Sequence, residues 1–180
     1  MIKRIYANAD NTITNAHEPT PNGFSATRAT GSNMGAADII EVYGLYNNYN
    51  TSSAEISRGL IKFPVTDFAT MRTANEIPAS GSVNFYLSLK EAPSMETLPS
   101  DYTISVYAIS SSWEEGFGLD MDNYSDLTYD AVGSNWIKRS GATSWTTFGG
   151  DFLTGTIVDQ SFPNGNEDLN INVSDVVESW

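Results

Sequence analysis

The chain of 180 residues contains no cysteine, a single histidine and only nine lysines and arginines. Without cysteine there is no disulfide, no thiolate metal site and no thiol nucleophile, and the redox character of the surroundings leaves no mark on the sequence. The nine basic residues stand against 22 acidic ones, a formal net charge of −13. A basic stripe able to neutralise phosphates cannot be assembled from so few cations, so nucleic acid and an anionic membrane surface are not expected partners. No apolar run approaches the ~18 residues that a membrane-crossing helix needs. The opening Met1-Ile2-Lys3-Arg4-Ile5-Tyr6 has two basic residues but no apolar core of a secretory signal behind them. A role outside a cell would then follow lysis, an atypical export route or assembly into a particle.

What is present is enough to fold. Hydrophobic residues make up 40% of the chain and aromatic residues 12%, which places it among globular domains rather than disordered ones. Period-two alternation dominates wherever a pattern is visible. Val83, Phe85, Leu87 and Leu89 alternate with Asn84, Tyr86 and Ser88, as in a half-buried strand. Thr103 to Ile109 and Leu169 to Val173 alternate in the same way. Lys3 to Ala7, Ile39 to Tyr43, Gly59 to Phe63 and Gly155 to Val158 are further strand candidates, rich in β-branched or aromatic residues.

Turn chemistry separates these runs, as in Pro19-Thr20-Pro21-Asn22-Gly23, Tyr46 to Asn50 and Phe162 to Asn166. No helical period is sustained over ten residues. The best short helix is Ser174 to Trp180, with Ser174 placed to cap it and Val177 and Trp180 on one face; Asp67 to Thr73 predicts another helical turn. Many short strands, long loops and one or two helical turns predict an all-β fold, an antiparallel β-sandwich or jelly roll. One domain over 1–180 is expected from length. The stop at Trp180, straight after a short helix, predicts the N-terminal fragment of a longer chain whose closing strand lies beyond.

Along the chain follow Ala9-Asp10 with the Thr-rich strand after it, Asn33-Met34-Gly35, Ser57-Arg58-Gly59-Leu60-Ile61-Lys62-Phe63, the Val83 to Leu89 strand, Trp113-Glu114-Glu115-Gly116, Trp136, Gly149-Gly150-Asp151, and Leu169 to Trp180. In this order they resemble the DNRLRE family of β-sandwich modules with carbohydrate-binding-module-like topology. Within that resemblance, Ala29 to Gly35 and Trp113 to Asp122 are similar to structural proteins of marine tailed bacteriophages, notably those infecting cyanobacteria. The family's terminal strand is missing, and the insert Asp120 to Tyr129 is particular to this chain. The resemblance implies a virion location, or alternatively an extracellular or cell-surface one. It also implies contacts with other virion proteins in symmetric multiple copies, and contact with a host-surface glycan.

Three carboxylates, Asp120, Asp122 and Asp126, lie close together in Asp120-Met121-Asp122-Asn123-Tyr124-Ser125-Asp126 and could wrap a Ca2+ ion with backbone carbonyls. A solvated acidic loop is the competing reading, favoured by the abundance of acids, and the EF-hand pattern is not met. Asn164 to Asp168 is explained by turn chemistry alone. Of the four tryptophans, Trp113 and Trp180 read as core anchors, while Trp136 and Trp145, in the loop-rich Gly133 to Gly150 region, are the candidates for a sugar-stacking surface. Arg58 reads as a guanidinium pinned by carboxylates or carbonyls in or beside the sheet.

Catalysis finds little support. His17 sits in the Ala16-His17-Glu18-Pro19 turn region with no predictable partner, and Glu114 and Glu115 are neighbours that would face opposite ways on a strand. The expectation is therefore a non-enzymatic virion structural or decoration protein of the capsid, neck or tail. The alternative is a carbohydrate-binding module attaching to a host or substrate polysaccharide. A hydrolase ranks third.

Overall fold

A computed structural model describes residues 2–20, 23–46, 54–64, 66–94, 97–121 and 132–179. Among them the chain forms mostly strands: β1 (Ala9–Thr14), β2 (His17–Thr20), β3 (Gly23–Arg28), β4 (Gly44–Tyr46), β5 (Ala54–Lys62), β6 (Tyr86–Leu89), β7 (Tyr102–Ile109), β8 (Lys138–Ser140), β9 (Thr143–Ser144), β10 (Phe152–Phe162) and β11 (Leu169–Asn172). Two short helices complete it, α1 (Thr66–Thr73) and α2 (Ser174–Ser179). All strand pairs are antiparallel. The chain divides into two compact units, Met1–Pro64 with Ser111–Asp151, and Val65–Ser110 with Phe152–Trp180.

In the first unit β5 is the centre of a three-stranded sheet ordered β1-β5-β4, and the hairpins β2-β3 and β8-β9 stand apart from it. Ile13 faces Arg58 across the β1–β5 pair, and Asn11 faces Leu60. Asn11, Thr12, Ile13 and Thr14 are all buried. A strand covered on both faces shows no period-two alternation, so only the family-like spacing pointed to β1. Its polar members are satisfied locally. Thr14 Oγ1 shares a 2.6 Å hydrogen bond with the Tyr43 hydroxyl and donates to the Ile56 carbonyl.

Two strand expectations fail in this unit. Ile39 to Tyr43 stays outside the ladder because side chains take its amides: the Glu41 amide donates to Thr12 Oγ1 and the Tyr43 amide to Ser57 Oγ, while the Tyr43 carbonyl accepts the Ser57 amide at 3.0 Å. The strand there is β4, just beyond. Lys3 to Ala7 has no strand either; pairing with β5 ends with the Asn8 amide donating to the Lys62 carbonyl at 2.9 Å. The register would next bring Pro64 opposite Ala7, and a proline has no N–H to continue a ladder.

In the second unit β7 pairs with β10, with an irregularity between Phe152 and Ile157, and β6 pairs with β11. Ala108, Val173 and Val176 form its core, with Phe85, Leu87, Val106, Val158, Ile171 and Val177 packed on them; burying each large aliphatic side chain is worth roughly 1.5–3 kcal/mol. The alternation in Thr103 to Ile109 and in Leu169 to Val173 is what folds as β7 and β11.

Both expected helices are present, but the start of α2 differs in detail. Asn172 Oδ1 accepts the Ser174 amide and hydroxyl, which leaves Ser174 Oγ to accept the Phe85 amide. Asn172, not Ser174, therefore satisfies the first amide. Near its other end, Glu178 accepts from Arg72 of α1, Ser80 and the Gly81 amide.

Candidate functional site

The first unit is held by buried amides rather than by apolar bulk alone. Asn11 on β1 makes three side-chain hydrogen bonds: Nδ2 donates to the Ser134 carbonyl and hydroxyl at 2.8 and 2.9 Å, and Oδ1 accepts the Met34 amide at 2.9 Å. Asn33 does more. Its Nδ2 donates to the carbonyls of Glu115 and Ser134, both at 2.7 Å, and its Oδ1 accepts the amides of Gly118 and Gly35 at 2.8 and 3.3 Å. Its backbone closes a reciprocal pair with Asp120, whose Oδ2 accepts the Asn33 amide while its amide donates to the Asn33 carbonyl. A third amide, Asn135, accepts the amides of Ile137 and Lys138 and holds the tight turn into β8. Asn11, Asn33, Ser134 and Asn135 are at most 2% exposed, and each such bond in a dry interior is worth about 1 kcal/mol made and more if left unmade.

The consequence is a loop, 114–120, fixed at both ends and in the middle. Ser134 N–H donates to the Glu114 carbonyl, and Ala36 N–H donates to the Gly118 carbonyl. Gly116 takes a positive φ of 82° beside Asn33, and a Cβ there would lie 2.5 Å from Asn33 Oδ1; only glycine fits. Pinning the backbone this tightly leaves two large apolar side chains outside: Phe117 is 74% exposed and Leu119 65%, on either side of buried Gly118. Glu114, exposed, and Glu115, half-buried, precede them in the same loop. Glu115 Oε1 accepts the Asp10 amide at 2.8 Å. Burial, and then the Glu115 charge, push the Asp10 carboxyl above its ordinary value.

The residues singled out by sequence fall into this frame unevenly. Asp120 is 1% exposed and turns its carboxylate inward to the Asn33 amide. Asp122 and Asp126 lie outside the described residues, and among the described residues no group of three or more acidic or histidine side chains is gathered for a metal.

Trp136 and Trp145 are buried, 8% and 3% exposed, which corrects their expected surface position. Trp145 Nε1–H donates to the Asn135 carbonyl at 2.8 Å, and the Trp136 ring lies under the Arg58 guanidinium, 5.1 Å from ring centroid to carbon. Their faces are consumed inside the unit. Arg58 also donates to the Gly149 carbonyl, the carbonyl partner expected of it. Trp113 is buried, and Trp180 lies outside the described residues.

His17 opens β2 rather than lying in a turn, and its amide donates to the buried Glu55 carboxylate. Glu114 and Glu115 are in the pinned loop, not on a strand. In the second unit Glu167 accepts the Asn164 and Gly165 amides, the turn chemistry expected of that segment.

Phe117, Leu119 and the three asparagines were missed from sequence. The signal that could have found the loop is Gly116 and Gly118 bracketing a phenylalanine, which fits a backbone that packs closely while a large side chain stays out. Comparisons with protein-family models, with curated proteins and with solved structures returned no match.

Proposed function

We propose that this chain is a non-enzymatic structural protein of a tailed-bacteriophage particle that works through protein–protein contacts, with the 114–120 loop as a contact surface. The observation that carries the contact role is the rigid presentation of Phe117 and Leu119. Exposed apolar side chains are common one at a time, but here the backbone beneath them is fixed by buried amides, so docking them on a partner costs little conformational entropy. Aromatic and aliphatic anchors set in a polar rim are the usual energetic centre of a protein interface.

The particle assignment draws on the similarity of Ala29 to Gly35 and Trp113 to Asp122 to phage structural proteins, and those two stretches meet in the structure through Asn33, Glu115 and Gly118. The finer reading of the fold, a sandwich or jelly roll, belongs to the same proposal and is supported by the uniformly antiparallel pairing. The carbohydrate-binding alternative loses its platform with the burial of Trp136 and Trp145.

The test is mass spectrometry and cryo-electron microscopy of purified phage particles. The chain should be present in repeated copies, and Phe117→Asp should leave the isolated fold intact while reducing incorporation. Absence of the chain from purified particles overturns the reading.

A further inference from the structure

Strand β7 of the second unit is bonded along one edge only. It pairs with β10, and among the described residues no other strand joins it. In an antiparallel pair every second residue turns its N–H and C=O away from the partner strand. From Tyr102 to Ala108 no group of the described residues bonds to that second edge. Unpaired backbone groups are costly away from water, and Thr103, Ser105 and Tyr107 of this strand are exposed. The edge is therefore open.

Edge strands are usually kept from further pairing by shortness, charge, proline or a bulge. In the first unit β4 is three residues long and β1 carries Asp10. On the far side of β10, the Gln160 side chain reaches β11, donating to the Asp168 carbonyl and accepting the Asn170 amide. β7 has none of these protections. Its eight residues include no charge, proline or glycine, and its register with β10 is continuous from Tyr102 to Tyr107.

An open edge is completed by another extended backbone, and the strand that this edge matches is its own. Ala108 lies in the core with Val106 packed on it, and Ile104 shares their side of the strand, whereas Thr103, Ser105 and Tyr107 face out. A two-fold axis perpendicular to the sheet keeps each face with its like, while a one-residue slip would turn the apolar side to water. The open span from Tyr102 to Ala108 is centred on Ser105. An axis there sets Ser105 against Ser105, Ile104 against Val106, Thr103 against Tyr107, and the large Tyr102 against the small Ala108.

Charge favours the same choice. Copies of a chain of net charge −13 repel wherever their acids meet, and β7 brings none to the contact. On such a ladder the acids of the two copies stay apart. Asp159, which faces Ser105 from β10, stands three strand spacings from its counterpart, about 14 Å. The two Asp101 residues fall at opposite ends, on the order of 25 Å apart. Both separations exceed the Debye length of about 8 Å in physiological salt.

We infer that two copies of the chain join by antiparallel pairing of β7 with β7 about a two-fold axis at Ser105, making one four-stranded sheet in the order β10-β7-β7-β10. The interface is closed and isologous, since each copy uses up the other's open edge. It belongs to the second unit and owes nothing to the 114–120 loop.

The experiment is sedimentation velocity on the full chain at up to about 100 μM, enough to populate a dimer of micromolar Kd. A dimer is expected for the native chain. Ser105→Lys and Ser105→Glu each set like charges directly opposite across the axis and should each weaken association tenfold or more, with circular dichroism spectra like that of the native chain. Mixing the two variants should restore the dimer as a heterodimer, because at the axis each residue 105 meets only its counterpart.

Because the chain has no cysteine, Ser105→Cys should also form a symmetric disulfide on mild oxidation, and Asp159→Cys, one strand further out, should not. A native chain that is monomeric throughout overturns the inference and leaves the edge to a strand from another protein. A dimer indifferent to both Ser105 charges overturns it as well, as does a pair of charge variants that does not recover on mixing.

Discussion

Asn33 and Gly116 are packed so closely that a Cβ on residue 116 would sit 2.5 Å from Asn33 Oδ1 and 2.7 Å from its Nδ2. The pair joins two segments more than 80 residues apart in sequence, and the position of Phe117 follows from it. Gly133 completes the clasp, since a Cβ there would meet the Gly116 Cα at 2.5 Å.

Gly116→Ala should destabilise the protein strongly. The φ of 82° disfavours any side chain, and the amide of Asn33 cannot retreat without breaking its bonds to Glu115, Ser134 and Gly118. Backbone strain and steric displacement together predict a loss of about 2–4 kcal/mol. Gly44→Ala is the control, because a Cβ there meets nothing within 4 Å; a change within about 0.5 kcal/mol is expected. Urea unfolding of both variants checks the contrast, and equal effects contradict it.

Asn11 and Asn33 both donate to the Ser134 carbonyl, so they should couple. Asn33→Ala leaves the Glu115 carbonyl and the Gly118 amide without this side chain and should cost about 2–4 kcal/mol, with Asn11→Ala of similar size. A double-mutant cycle should return an interaction energy of about 0.5 kcal/mol or more. Additive losses would show that the two amides act separately.

The pH dependence of stability should carry two opposite contributions. Asp10 is raised above 3.8 by burial and by Glu115, so the folded state keeps this proton to higher pH than the unfolded chain. Its ionisation therefore costs stability as pH rises through the window above 3.8, and the cost remains at neutral pH. Asp10→Asn keeps the backbone bond to Glu115 and removes the charge. It should be more stable than the native chain near pH 7, with the difference closing below about pH 3.8.

Asp151 is the reverse. Desolvation pulls its carboxyl upward, but the amides of Thr146 and Thr147 and the Ser111 hydroxyl outweigh it and hold the value below 3.8. Its contribution is present above 3.8 and lost as pH falls through the depressed value, so Asp151→Asn should be less stable near pH 7 and converge with the native chain in acid. Denaturant midpoints across pH separate the two signs.

Asp120 should matter to folding without calcium. Its carboxylate accepts the Asn33 amide in a fully buried position, so Asp120→Ala leaves a buried donor unmatched and should cost about 1–3 kcal/mol. The loss should be as large in EDTA as in millimolar calcium. A loss seen only with calcium present would instead make Asp120 a ligand.

Much of the secondary structure was legible because it is local. Alternation in Thr103 to Ile109 and Leu169 to Val173 records one buried and one open face, and those runs fold as β7 and β11. The two helical turns lie within a residue or so of where the capping and spacing put them. Lys3 to Ala7 misled because β-branched composition says nothing about whether a partner strand is there. Ile39 to Tyr43 misled because the Glu41 and Tyr43 amides bond the hydroxyls of Thr12 and Ser57 and not the carbonyls of a neighbouring strand. Trp136 and Trp145 looked like surface rings because glycine-rich neighbours usually mean a loop, and the loop here is folded inward over Arg58.

Sequence by itself determined a strand-rich chain with two short helical turns, and a large excess of acidic over basic residues. Both follow from nearest-neighbour periodicity and from summed charge, which need no coordinates. Only the tertiary structure decided that Asn11, Asn33 and Asn135 form the framework of the first unit, that Trp136 and Trp145 turn inward and that Phe117 and Leu119 turn outward. An asparagine side chain offers the same two donors and one acceptor oxygen in any loop; the carbonyls that Asn11 and Asn33 donate to are brought to them from 82 to 123 residues away.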